Sequence, residues 1–211
     1  MCRVKLKKYD SVVFTQRWPQ AVCYKFKKDK NVNDCQLPNH DRWTIHGLWP
    51  TRMGQRGPVF CKTKFDFNIE KIDTIKDSLK ENWTDFHEDD NNDNDYYLWK
   101  QEWKKHGSCL VENNHQNTIF GYFKKGIDLL KNYQMKDILK KANIHPGNIY
   151  KILHEKKKVY LEEISICMNR DMNFIIDCDG VGTLINSLPN LSLKYLDQTN
   201  EEIISPSTNK N

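Results

Sequence analysis

The sequence predicts an α+β fold, and three observations carry the prediction. Helical and strand patterns are interspersed without a regular βαβ repeat, which argues against a doubly wound parallel sheet. Apolar residues recur at helical spacing through the middle of the chain, while short β-branched and aromatic runs sit toward both ends. The 211 residues are 38% hydrophobic and 11% aromatic, too aromatic for a disordered chain and enough for one core. A single domain is expected over residues 1–197, with the polar stretch 198–211 as a disordered tail. No run approaches 18 apolar residues, so no membrane span is expected, and no 20- to 50-residue period suggests a solenoid.

The elements follow in order. Val12, Val13 and Phe14 running into Arg17 and Trp18 predict a strand that Pro19 ends. Residues 25–41 are polar and predict a loop. Trp43 to His46 predicts a short strand stopping at Gly47, and Pro50, Gly54, Gly57 and Pro58 predict a loop over 50–58. Ile69, Ile72, Ile75, Leu79 and Trp83 predict an amphipathic helix over 68–82. The acidic run 85–95 reads as a solvated loop. As a calcium loop it fails, because the position needing glycine is Asn94 and no Glu stands at the twelfth place. Helices are expected over 96–107, over 118–132 (Ile119, Phe120, Phe123, Ile127, Leu130), over 135–142, and from Pro146 to about 155. Val159 to Met168 and Phe174 to Cys178 predict two antiparallel strands joined by a turn at 169–173.

Charge and cysteine usage narrow the setting. The net charge is +5, yet residues 3–30 alone carry nine Lys or Arg against Asp10 and Asp29, a local charge of +7. Such a region can attract a polyanion or simply be a solvated lysine-rich surface. Seven cysteines without a C-x-x-C disfavour a structural zinc site and favour disulfides in an oxidising compartment. The odd count leaves one thiol over. Residues 1–10 are charged and show no signal peptide, as expected of a mature secreted chain. Sequons stand at Asn82 and Asn190, about the number that chance gives in a chain with 21 Asn.

Two segments carry chemistry. In the second, Glu102-Trp103-Lys104-Lys105-His106-Gly107-Ser108-Cys109, helical rotation places Glu102, Lys105 and His106 within roughly 100° of arc. Trp99 and Trp103 lie beside them. A carboxylate, an ammonium and an imidazole are costly to bury together without purpose, and aromatic walls strengthen their mutual effect. Read alone, the group is better taken as an ordinary i,i+4 Glu–His pair with core tryptophans. In the first, Trp43-Thr44-Ile45-His46-Gly47-Leu48-Trp49-Pro50, a histidine stands at a strand end with room made by Gly47. Two His-Gly sites in aromatic settings suggest an acid and a base, because imidazole can accept or donate a proton near neutral pH.

These two segments resemble the two active-site segments of the RNase T2 family of secreted acid ribonucleases. Gln16-Arg17-Trp18-Pro19 with Cys23, the stretch Phe65 to Trp83, the stretch Tyr122 to Tyr150 and the Cys167/Cys178 hairpin extend the resemblance, particularly to animal members, over about residues 10–180. The resemblance implies a central antiparallel sheet flanked by helices and stapled by disulfides. It implies cleavage of single-stranded RNA through a 2′,3′-cyclic phosphate, without metal or cofactor. His106 then corresponds to the base, His46 to the acid, and Glu102 and Lys105 to stabilisers of the phosphorane. Trp49 corresponds to a base-stacking platform, and Gln16 and Gln101 to further substrate contacts. It implies the pairs Cys23–Cys35, Cys61–Cys109 and Cys167–Cys178, leaving Cys2 free or joining two chains of an otherwise monomeric protein. Secretion is the implied location, with lysosomal or endosomal residence second.

The chain departs from the family in places. Gln101 replaces a phosphate-contacting histidine and keeps hydrogen bonding without charge. Thr51 replaces an Asp found after Trp-Pro, which leaves base preference open. The family's extra disulfide near the C-terminus is missing. The rival class is a secreted binding or signalling protein on this fold; the intact set His46, Glu102, Lys105 and His106 argues against it. A metal-dependent nuclease lacks its motif here, and no RRM or KH signature appears.

Overall fold

The computed structural model describes residues 9–30, 35, 37–38, 41–54, 57–62, 66–86, 96–110, 118–151, 157–178 and 191–194. Its elements, in chain order, are β1 (Ser11–Arg17), α1 (Pro19–Lys30), β2 (Thr44–Thr51), a 3₁₀ segment (Ile69–Ile75) leading into α2 (Lys76–Asn82), α3 (Tyr97–Glu102), a π-turn (Trp103–Gly107), α4 (Ser108–Leu110), α5 (Ile119–Asn132), α6 (Met135–Lys141), β3 (Ile149–Lys151), β4 (Lys157–Tyr160), β5 (Glu163–Asn169) and β6 (Leu191–Lys194).

β1 is the middle strand of an antiparallel sheet ordered β2-β1-β5 and is buried along its whole length. Alternation divides its side chains between two faces. Val12 and Phe14, with Ile45, Leu48 and Met168 of the flanking strands, join Ile72, Leu79, Trp83, Phe123 and Ile127 in the main core. Each such side chain contributes roughly 1.5–3 kcal/mol on burial. Val13 and Cys167 lie on the other face, covered by Trp49 and Cys178. A second small sheet is ordered β3-β6-β4, with β6 antiparallel to β3 and parallel to β4.

Several expectations need correction. Pro19 ends β1 but also opens α1, so residues 25–30 are helical rather than loop. Proline suits the first helical position, where its missing N–H has no partner to lose. β2 does not stop at Gly47 but runs to Thr51, so Pro50 lies within a strand. β2 is an edge strand, where a residue without an N–H is tolerated. The 68–82 helix is a 3₁₀ turn followed by α-helix; Asn68 Oδ1 accepts from Glu70 N at 2.8 Å and caps its start. α5 is capped by Thr118, whose hydroxyl accepts from Gly121 N at 2.9 Å. Its buried stripe omits Phe120, which is exposed. The segment after Pro146-Gly147 forms β3 rather than a helix, and residues 152–156 lie outside the described residues. The run from Val159 to Met168 is divided between β4 and β5, in different sheets. The Cys167/Cys178 hairpin turns on Asn169, whose Oδ1 accepts from Asn173 N and Phe174 N, and its return arm pairs through Met168 and Ile175.

Three disulfides join Cys23 to Cys35, Cys61 to Cys109 and Cys167 to Cys178, the pairing that the resemblance implies. Cys2, Asn190, the tail 198–211 and most of the acidic run lie outside the described residues. Asn82 ends α2, and its amide nitrogen donates to Ser78 O at 2.8 Å, a bond that a glycan on that nitrogen would have to displace.

Candidate active site

The site forms where β2 meets the α3–π-turn segment. In the β1–β2 ladder Thr15 pairs with Gly47 and Gln16 with Ile45, so His46 is the extra residue of a bulge. Bulges re-aim side chains and recur beside active sites. The bulge is tied from behind, because Trp83 Nε1 donates to His46 O at 2.8 Å and Trp99 Nε1 donates to Trp83 O at 2.7 Å. Gly47 permits the close approach of the second segment. A Cβ there would lie 2.1 Å from Glu102 Oε2 and 2.3 Å from Trp49 Nε1.

The second segment is not a uniform α-helix. Widening into a π-turn at Trp103–Gly107 shifts the rotation of Lys105 and His106 relative to Glu102. Such widened turns are frequent at functional sites. Gly107 is needed because a Cβ would lie 2.5 Å from the Trp103 ring. The far side of the turn is pinned by the Cys61–Cys109 disulfide and by Phe60 N, which donates to Lys105 O at 2.9 Å.

Around Trp49 these pieces converge. Its ring centroid lies 5.1 Å from that of His46, edge-on, and 5.5 Å from that of His106. Its Nε1 donates to Glu102 Oε2 at 3.0 Å, while Glu102 Oε1 lies 3.9 Å from His46 Nε2. His106 is buried, Lys105 is exposed and Gln101 is half-buried. Burial, followed by the charges of Lys105 and His46, lowers the His106 pKa to about 3. Burial pushes the Glu102 carboxyl above its ordinary range, against the pull of His46, the Trp49 N–H, Arg17 and Lys105. The arrangement therefore offers a neutral imidazole, a second imidazole beside a carboxylate, and an exposed ammonium around one indole.

Gln16 is not part of this group. It is fully buried; its Nε2 donates to Tyr133 O at 2.6 Å and its Oε1 accepts from Met135 N at 3.3 Å. With both ends of its amide bonded to backbone, it ties β1 to the α5–α6 junction and has no group to offer a nucleotide. Two residues that sequence reasoning did not single out also reach the site. Glu163, at the start of β5, places Oε1 2.5 Å from His46 Nδ1. Trp83 holds the His46 carbonyl. Neither has a local signal, since both contacts join segments far apart in the chain. Among the described residues no group of three or more His, Cys, Asp or Glu could hold a metal ion, and no helix is long and apolar enough to cross a membrane.

Fold and site together define an α+β protein in which histidines from two separate segments converge on one indole beside a disulfide-stapled sheet. The Ribonuclease T2 family model matches residues 9–157, and the chain belongs to that family. It is 34% identical to mouse Ribonuclease T2-A over 145 residues, 68% of this chain and 51% of that protein. The chain spans about half the length of the mouse and human relatives it matches. Among solved structures, a mutant of RNase MC1 in complex with 5′-UMP superposes with a TM-score of 0.65 at 27% identity, covering 81% of this chain and 93% of that one. Human RNase T2 shares the fold, with a TM-score of 0.67 at 21% identity over 89% and 98% of the two chains.

Proposed function

We propose that this chain is an endoribonuclease that cleaves single-stranded RNA by transesterification to a 2′,3′-cyclic phosphate. One observation carries the reading: His46 and His106, from separate segments, both lie against the indole of Trp49, whose N–H holds Glu102 with its other oxygen 3.9 Å from His46. His106, with its pKa lowered to about 3, stays neutral in mildly acidic solution and is fit to take the 2′-OH proton. His46, with carboxylates at both ring nitrogens, has the counter-charges an imidazolium needs and gives its proton to the leaving 5′-oxygen. Lys105 supplies a cation for the phosphorane oxygens. Glu102, whose carboxyl burial pushes above its ordinary range, lies beside His46 and lines the place where the phosphorane would form. Trp49 stacks a base, and Gln101 donates to phosphate. Membership in the Ribonuclease T2 family and the 5′-UMP held by an RNase MC1 mutant support a nucleotide substrate. The three disulfides support an oxidising, secretory setting.

The test is cleavage of a dinucleotide and of single-stranded RNA in the presence of EDTA, with the cyclic product followed by phosphorus NMR. His46→Ala and His106→Ala should each lower the rate by about 10²- to 10⁴-fold. Near-full activity in either variant, or activity that EDTA abolishes and zinc or magnesium restores, would reject the reading.

A further inference from the structure

We propose that Glu163 is a positioning residue for His46, holding the imidazole through Nδ1 so that Nε2 faces the substrate. The inference rests on the reading of His46 as the general acid and deepens it.

The contact is not an incidental pairing of neighbours. His46 is on β2 and Glu163 on β5, with β1 between them. Strands lie about 4.8 Å apart, so the two backbones are separated by roughly twice that distance. Two side chains must lean toward each other across β1 to bring Nδ1 and Oε1 to 2.5 Å. At that level of the sheet Arg17 stands opposite both Thr44 and Glu163, and the ladder slips at His46 itself. A bulged residue has lost the lateral hydrogen bonds that fix its neighbours, so its side chain needs another constraint. Glu163 supplies it from the far strand. A carboxylate paired with Nδ1 at this distance restrains the ring's orientation by charge and contact, the role an acidic residue plays toward a catalytic histidine.

The two side chains are part-buried, 27% and 33% exposed, so the pair can stabilise the fold as well, and rate on two substrates is what tells the roles apart. The charged groups around His46 are Glu102 from α3, Lys105 and His106 from the π-turn, Arg17 from β1 and Glu163 from β5; beyond Glu163, Lys25 of α1 is ion-paired to Glu162 at 2.9 Å. Arg17 is a buried cation whose Nη2 donates to Thr84 O and whose guanidinium lies 4.6 Å over the Phe86 ring. Burial pushes the Glu163 carboxyl up, but the His46 hydrogen bond and the charges of His46, Arg17 and Lys25 outweigh it, so the group stays ionised.

The experiment compares two substrates in the full chain with its disulfides intact. A dinucleotide has an alkoxide leaving group that needs an acid; a uridine 3′-aryl phosphate has a phenolate leaving group that does not. Glu163→Ala should lower kcat on the dinucleotide about 10²-fold with KM nearly unchanged, and lower it less than tenfold on the aryl ester. Adding Glu163→Ala to His46→Ala should cost nothing further. Glu163→Gln keeps an acceptor without charge and should restore most of kcat on the dinucleotide. It also carries the comparison if the alanine variant does not fold. Equal losses on both substrates, or an additive loss in the His46→Ala background, would overturn the proposal and leave the acid assignment standing. Equal losses on both substrates for His46→Ala alone would instead remove the acid assignment, and the proposal with it.

Discussion

His106 couples the site to stability as well as to rate. Its folded pKa is lowered to about 3, whereas the unfolded imidazole titrates near the ordinary 6.5. Between those values the unfolded chain binds the extra proton, so this group's contribution erodes as pH falls. By about pH 4.5 the deficit is on the order of 2–3 kcal/mol. His106→Asn, which does not titrate there, should lose less stability than the parent between about pH 7 and 4.5, by about that amount in denaturant melts; equal losses would contradict the burial cited. Trp49→Ala should weaken dinucleotide binding by about 1–3 kcal/mol by calorimetry. A variant that binds normally but melts much earlier would mark Trp49 as a core residue instead. At this scale the sequence announced only residues whose neighbours are local. His46, Trp49, Glu102, Lys105 and His106 lie in two short segments, but Glu163 and Trp83 act across strands and have no pattern of their own.

At the scale of elements, β2 and the π-turn fit each other through the absence of one side chain. A Cβ on Gly47 would fall between Glu102 Oε2 and Trp49 Nε1, which share a 3.0 Å hydrogen bond. Glu102 Oε2 ends a flexible side chain that can swing aside, whereas Trp49 Nε1 belongs to a rigid ring, so Gly47→Ala breaks their bond and shifts the groups that line the site. Rate should therefore suffer more than stability: about a 10²-fold loss of kcat, the scale of a 1 Å misplacement, with Tm lowered by only a few degrees. Comparable kcat with a large fall in Tm would place the role of Gly47 in folding alone. The same strand shows why element boundaries were hidden. Gly47 and Pro50 read as strand breakers, yet the first serves a close approach and the second sits on a sheet edge. Periodicity located α5 and α6 well because their burial is one-sided, whereas the π-turn has no signature in spacing.

Over the whole molecule, the two histidine segments are held in register by the link between the chain after β2 and the residues after the π-turn. Cys61–Cys109 spans 48 residues, and with the adjacent Phe60 N to Lys105 O hydrogen bond it ties the chain after β2 to the residues on both sides of His106. Cys23–Cys35 spans 12 residues and joins α1 to Cys35, outside the two segments that carry the histidines. Chain entropy assigns the first about 4 kcal/mol and the second about 3 kcal/mol, so on stability alone their removal should look alike. Their effects on rate should not. With both variants measured where each is fully folded, Cys23→Ala with Cys35→Ala should keep kcat within about twofold. Cys61→Ala with Cys109→Ala should lower kcat at least tenfold, because the π-turn is free to shift relative to the bulge that carries His46. The comparison separates a staple that only stabilises from one that also aligns the reacting groups. If the two pairs lower kcat equally, or neither does, the alignment of His46 with His106 comes from the packing around Trp49 and Trp83 and owes nothing to the disulfide.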